Sequence, residues 1–62
     1  EMLFFQIVKS GFNHRRKILK NALKTFDILE SEKINYLLNL RAEELTIEDF
    51  INITKNVRKN KN

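Results

Sequence analysis

The chain has 62 residues, no cysteine, no proline, one glycine and a net charge of +4. A chain this short makes one small domain that buries only about 60% of the surface it exposes when unfolded, and without cysteine it can hold neither a disulfide nor a thiolate metal site. No apolar run approaches the roughly 18 residues of a bilayer span, since Gln6 interrupts residues 2–8, so a soluble protein of the reducing cytoplasm is expected.

Apolar residues recur every three to four positions, which favours helix over strand. The expectation is an all-α fold, a small bundle of about four short helices in one domain over residues 1–62. The chain opens directly on Met2, Leu3, Phe4 and Phe5 after Glu1, large apolar residues with no capping or targeting pattern before them, so it reads as a fragment of something longer. The first predicted helix covers 2–10. Phe4, Phe5, Val8 and Phe12 lie on one side of it, Leu3 and Ile7 widen that side, and Lys9 points away. Gly11 offers a left-handed stop.

Asn13 is a suitable N-cap for a second helix over 14–26, because its side chain can accept from a first-turn N–H. At about 100° per residue, Ile18, Leu19, Ala22, Leu23 and Phe26 form its apolar face. After a connector over 27–30, Ser31 can cap a third, short helix whose Ile34, Leu37 and Leu38 face inward. The last helix starts at Thr46, with Asp49 at the third position completing a capping box and Leu45 packing on Phe50 as a hydrophobic staple. Ile47, Phe50, Ile51, Thr54 and Val57 continue one face, and the polar, cationic stretch 55–62 is expected to fray.

The charge is segregated. Residues 1–24 carry six Lys/Arg against one acid, residues 25–54 two against seven, and residues 55–62 four against none. Within residues 13–24 stand five fixed positive charges and no acid. On a helical wheel Lys17, Lys20 and Lys24 fall within about 60° of one another, opposite the apolar face, with Arg16 at the edge. Such a stripe suits phosphates, and like-charge repulsion over three turns sets it apart from an ordinary solvated face, where mixed signs gain i,i+4 pairs. Arg15 projects between Ile18 and Leu19 into the face expected to be buried, where a guanidinium needs a carboxylate; Glu43 or Glu44 is the expected partner.

Catalytic chemistry has little to stand on. His14 is the only histidine, and a base or ligand would need partners. One glycine cannot build a phosphate-cradling or dinucleotide-binding loop. Glu48 and Asp49 fall in a first helical turn, where they oppose the macrodipole, and no loop has the alternating ligands of a calcium site. No catalytic, cofactor or metal residue is assigned. The phenylalanines belong to the core, leaving Tyr36 as the aromatic that could stack on a base.

Phe5, Phe12, Arg15-Arg16-Lys17, Leu19, Asn21 and Leu23, followed by Arg41-Ala42-Glu43, Leu45 and Phe50, resemble the C-terminal domain of KsgA-type ribosomal RNA small-subunit adenine dimethyltransferases. Members of that family read F-x-x-R-R-K-x-x-x-N-x-L and then R-A-E-x-[LI]-[ST]-x-x-x-[FY], and both blocks occur here in order. This chain departs from many bacterial members in passing directly from residues 36–40 into Arg41, without a Gly-Ile-Asp-type loop. The resemblance implies a two-domain enzyme whose N-terminal domain, missing here, binds S-adenosylmethionine and dimethylates N6 of two adjacent adenosines of small-subunit rRNA during ribosome biogenesis.

On that reading this piece has no cofactor of its own. Its partners are small-subunit rRNA or the immature small ribosomal subunit and the enzyme's own catalytic domain, against which the apolar start of the first helix could pack. Arg16, Lys17, Lys20 and Lys24 are the expected RNA contacts, while Arg15, Asn21 and the turn 41–43 are expected to hold the helices together. Three rival readings remain open: a helix-turn-helix DNA-binding domain, against which the basic helix lacks a base-reading mixture of polar side chains, a purely protein-binding helical module, and the C-terminal domain of an Erm-type methyltransferase.

Overall fold

The computed structural model describes residues 2–60. Its elements in chain order are helix α1 (Met2–Asn13), a single helical turn α2 (Leu19–Ala22), strand β1 (Phe26–Ile28), helix α3 (Glu32–Leu38), a 3₁₀ turn (Ala42–Glu44), helix α4 (Ile47–Lys55) and strand β2 (Val57–Asn60). The fold is therefore mixed, four helical segments and a 3₁₀ turn with a two-stranded antiparallel sheet, and the all-α expectation is overturned.

The sheet forms from the two stretches expected to be a connector and a frayed tail. Phe26 faces Asn60, Asp27 faces Lys59 and Ile28 faces Val57, so Arg58 is the extra residue of a bulge on β2. Its guanidinium reaches back to donate to Asp27 Oδ1 at 3.0 Å. Leu29 N–H donates to Asn56 O at 2.7 Å, extending the pairing by one bond. A two-stranded ribbon is marginal in water on its own; this one is held because Phe26 is buried and Ile28 and Val57 pack against the core. Residues 61–62 of the expected tail lie outside the described residues.

α1 runs through Gly11 to Asn13, so Gly11 is no stop and Asn13 ends the first helix instead of capping the second. No described residue takes a positive φ. Gly11 is needed for close approach: a Cβ built there would stand 3.1 Å from Leu19 Cδ2 and 3.5 Å from both Ala42 Cβ and Phe50 Cε1. With Gly11 and the fully buried Ile7 as its inner line, α1 turns Leu3, Phe4 and Val8 toward the core and leaves Phe5 67% and Phe12 45% exposed. The expected face was centred one position off, because a glycine contributes no apolar signal to a helical wheel.

The second helix shrinks to one turn. Residues 14–17 form a turn and bend, and Ile18 is extended (φ −66°, ψ 156°), bridging to Arg41. Three adjacent cations with no acid to pair at i±4 oppose helix there, and a short helix needs such help. The apolar residues nevertheless go where the pattern puts them, since Leu19, Ala22, Leu23 and Phe26 are all buried.

The two later helices start as expected. Ser31 Oγ accepts from Ile34 N–H at 3.3 Å, and Ile34, Leu37 and Leu38 are buried. Thr46 Oγ1 accepts from Asp49 N–H at 3.1 Å while Asp49 Oδ2 accepts from Thr46 N–H at 3.0 Å, a reciprocal box; Leu45 packs at the core's edge. α4 buries Phe50 and Ile53, leaving Ile47 73% exposed and Ile51 exposed, so its inner face is also rotated from the expected one.

Candidate nucleic-acid interface

The two sequence blocks that carry the family resemblance meet in space. Leu19 N–H donates to Leu40 O at 2.8 Å and Ile18 bridges Arg41, which joins the start of α2 to the turn leading into Ala42. Leu19 and Ala42 are both fully buried, and Gly11 of α1 is packed against both. The 3₁₀ turn is closed by Glu44, whose Oε1 accepts from Arg41 N–H at 2.9 Å. The Arg41 to Glu43 turn thus holds elements together through its backbone and through Ala42, while the Arg41 and Glu43 side chains are exposed.

The charged members of the first block stand outside this seam. Arg16, Lys17, Lys20 and Lys24 are all exposed, but they do not share one helix. Arg16 and Lys17 sit in the turn between α1 and α2, Lys20 lies in α2, and Lys24 follows it in a second turn. The stripe drawn on a continuous helix is therefore broken, and only Arg16 and Lys17 are brought to one place. They line a shallow cleft of about 300 Å³ together with Asn13, His14 and Arg15. The Lys17 N–H donates to His14 O at 2.8 Å, closing the turn.

Arg15 departs most from expectation. It is exposed, and among the described residues it makes no ion pair with Glu43, Glu44 or any other acid. Its predicted burial followed from the helical wheel and fails with the helix. The usable signal in the sequence was the missing acid: an Arg-Arg-Lys run with no i,i±4 partner argues for a loop. Asn21, also expected to be structural, has an exposed side chain, with no side-chain hydrogen bond among the described residues. Tyr36 is 67% exposed on α3.

Another cleft, of about 370 Å³, lies between α1 and α4, lined by Phe4, Ile47, Ile51, Thr54 and Lys55. Its wall is apolar apart from the ends of Thr54 and Lys55. Asp49 caps α4, and both Glu48 and Asp49 lie in its first turn, as expected from their position after Thr46. No helix among the described residues is long and apolar enough to cross a membrane.

Comparison with known proteins finds similarity along most of the chain. A ribosomal RNA small subunit methyltransferase A of Flavobacterium johnsoniae is 39% identical over 57 residues, covering 92% of this chain and 22% of that protein. Proteins of the same name are 43% identical over 60 residues in Bacteroides thetaiotaomicron, with 92% and 22% covered, and 47% identical over 53 residues in Wigglesworthia glossinidia brevipalpis, with 82% and 20% covered. The chain spans about a fifth of the length of these relatives. No family model matches it, and no solved structure matches it.

Proposed function

The chain belongs to the ribosomal RNA small subunit methyltransferase A family, as a segment about a fifth the length of its members, and from that premise we propose that it is the RNA-holding part of an rRNA adenine N6,N6-dimethyltransferase. In this reading the methyl transfer and the S-adenosylmethionine site belong to the remaining four fifths that such relatives possess. The present segment fixes the orientation of the enzyme on folded small-subunit rRNA in the cytoplasm, during maturation of the small ribosomal subunit.

The observation that carries the proposal is the set Arg16, Lys17, Lys20 and Lys24, exposed and without an ion pair among the described residues, in a chain whose relatives are named for rRNA. Cations of this kind contact phosphates, release counterions and add affinity without reading sequence. Folded RNA suits them because its shape and backbone, more than its base edges, are what protein surfaces meet. Against the helix-turn-helix alternative stands the most basic segment, a turn followed by four helical residues, too short to lie along a major groove.

The test is RNA affinity across a salt series for the wild-type chain and for a variant with Arg16, Lys17, Lys20 and Lys24 changed to Gln. Wild type is expected to bind a small-subunit rRNA fragment with a steep log-log salt slope, and the variant to lose about two to three units of it. Equal slopes would mean the four cations are an ordinary solvated surface.

A further inference from the structure

The cleft between α1 and α4 has no part in the RNA-holding reading, and its chemistry is of another kind. Phe4, Ile47, Ile51, Thr54 and Lys55 line about 370 Å³. Ile47 and Ile51 stand one turn apart on α4, exposed to 73% and 38%. On the facing wall the Phe4 ring meets that of Phe5 edge to face, with centroids 5.9 Å apart, and Phe5 and Met2 are themselves exposed. Exposed large apolar side chains ordinarily occur singly; a group of them on two neighbouring helices marks a surface that something else covers. The polar part is small. Thr54 Oγ1 donates to Phe50 O at 2.8 Å, so its proton is committed to its own helix. Lys55 is the one cation of the lining and makes no ion pair among the described residues.

We propose that this cleft is the docking site for the rest of the protein, the four fifths by which family members exceed this segment, and that the docked element sets an apolar side chain against Phe4, Ile47 and Ile51 and a carboxylate against Lys55. The proposal rests on family membership and not on the RNA-holding role, so either can fail without the other. The segment makes up 22% of the Flavobacterium relative, so such a protein carries a body several times larger on the same chain. Phe4 stands in the first turn of α1; a chain entering at Met2 starts from the wall of the cleft, and a body tethered there meets it at high effective concentration. A second copy fits worse. A two-fold interface sets one patch against itself, which brings two Lys55 together where no acid lines the cleft. RNA fits worse too, because one cation in an apolar wall offers its phosphates little. Docking here has a consequence for placement: α1 carries the cleft at its first turn and the 14–17 turn at its other end, 12 residues away, or about 18 Å along the axis. Fixing one end fixes where the basic turn stands relative to the attached body.

Photo-cross-linking in the full-length protein tests this. Ile47, whose exposure leaves room for the change, is replaced by p-benzoylphenylalanine, and isotopically light and heavy protein are mixed before irradiation so that links within a molecule and between copies differ in mass. Docking predicts that position 47 joins a peptide outside this segment in the same molecule. It predicts further that Ile51→Asp combined with Lys55→Glu speeds limited proteolysis at the junction before α1 about tenfold, the change that a loss of about 1.4 kcal/mol gives, while Lys55→Arg keeps the wild-type rate. Links between copies, links to added small-subunit rRNA, or no link to the attached body overturn the proposal, and so does a junction cut equally fast in wild type and the double variant.

Discussion

Within one short stretch, residues 11–19, the molecule places two regions of opposite character side by side. Gly11 and Leu19 are buried in a seam with Ala42 and Phe50, whereas Asn13 through Lys17 are exposed and, among the described residues, no acid pairs with their cations. The family pattern runs through both without distinguishing them. A motif residue can therefore be buried in the fold or exposed to solvent, and a near neighbour in the same motif can be the other. Stability and RNA affinity are the two readouts that tell the regions apart, and mutations in each should move one and spare the other.

The largest expected effect is in the seam. Leu19→Ala removes a fully buried side chain at the meeting point of α1, α2 and the 3₁₀ turn, and such truncations cost about 2–5 kcal/mol. For a domain this small that is much of the total stability, so a thermal melt should show a lost or strongly lowered transition. Gly11→Val comes next. Its Cβ alone meets Leu19 Cδ2 at 3.1 Å, and the crowding should cost about 1–3 kcal/mol, more than the roughly 0.5–1 kcal/mol that replacing a mid-helix glycine can return. A variant as stable as wild type in urea titration would break the account of the seam.

Thr46→Ala removes the acceptor for Asp49 N–H and should cost about 1 kcal/mol. Arg58→Gln breaks the Asp27 pair, which is largely solvent-exposed on the arginine side, and should cost less than about 1 kcal/mol, falling further as salt is added. At the small end stands the turn. Changing Arg15, Arg16 and Lys17 to Gln should leave the melting temperature within the range of an ordinary surface substitution, about 0.5 kcal/mol either way. A large loss there would mean the turn belongs to the fold after all.

What could be read from the sequence was local chemistry. Ser31 and the Thr46–Asp49 box act over three residues, so their partners were visible beside them. Leu19, Ala22, Leu23 and Phe26 kept their place in the core although the helix that predicted them did not form beyond one turn: burial followed apolar spacing, and backbone conformation answered to charge repulsion and to a partner strand. That strand was illegible because β1 and β2 are about 30 residues apart and each is only three or four residues long. Gly11 was misread because a glycine's reason for being in a helix lies on the neighbouring elements, here Leu19, Ala42 and Phe50.

The candidate site divides the same way. Exposure of Arg16, Lys17, Lys20 and Lys24 followed from their charge. Their arrangement did not, because the wheel assumed a helix through residues 14–17. The expected burial of Arg15 and the expected cap at Asn13 rest on the same assumption and fall with it. The turn that collects them exists because Ile18 leaves the helix to bridge Arg41, a contact between residues 23 positions apart that no local pattern announces.

The most direct test of the central claim, that the outward cations of this segment meet RNA while the buried seam only supports them, is NMR shift mapping of the labelled chain titrated with a small-subunit rRNA fragment. The account predicts perturbed amides over residues 13–17 and at Lys20 and Lys24, with α3 and the β1·β2 ribbon silent. Perturbations centred on Tyr36 of α3, or on the Phe4, Ile47 and Ile51 cleft, with the 13–17 turn unmoved, would contradict it.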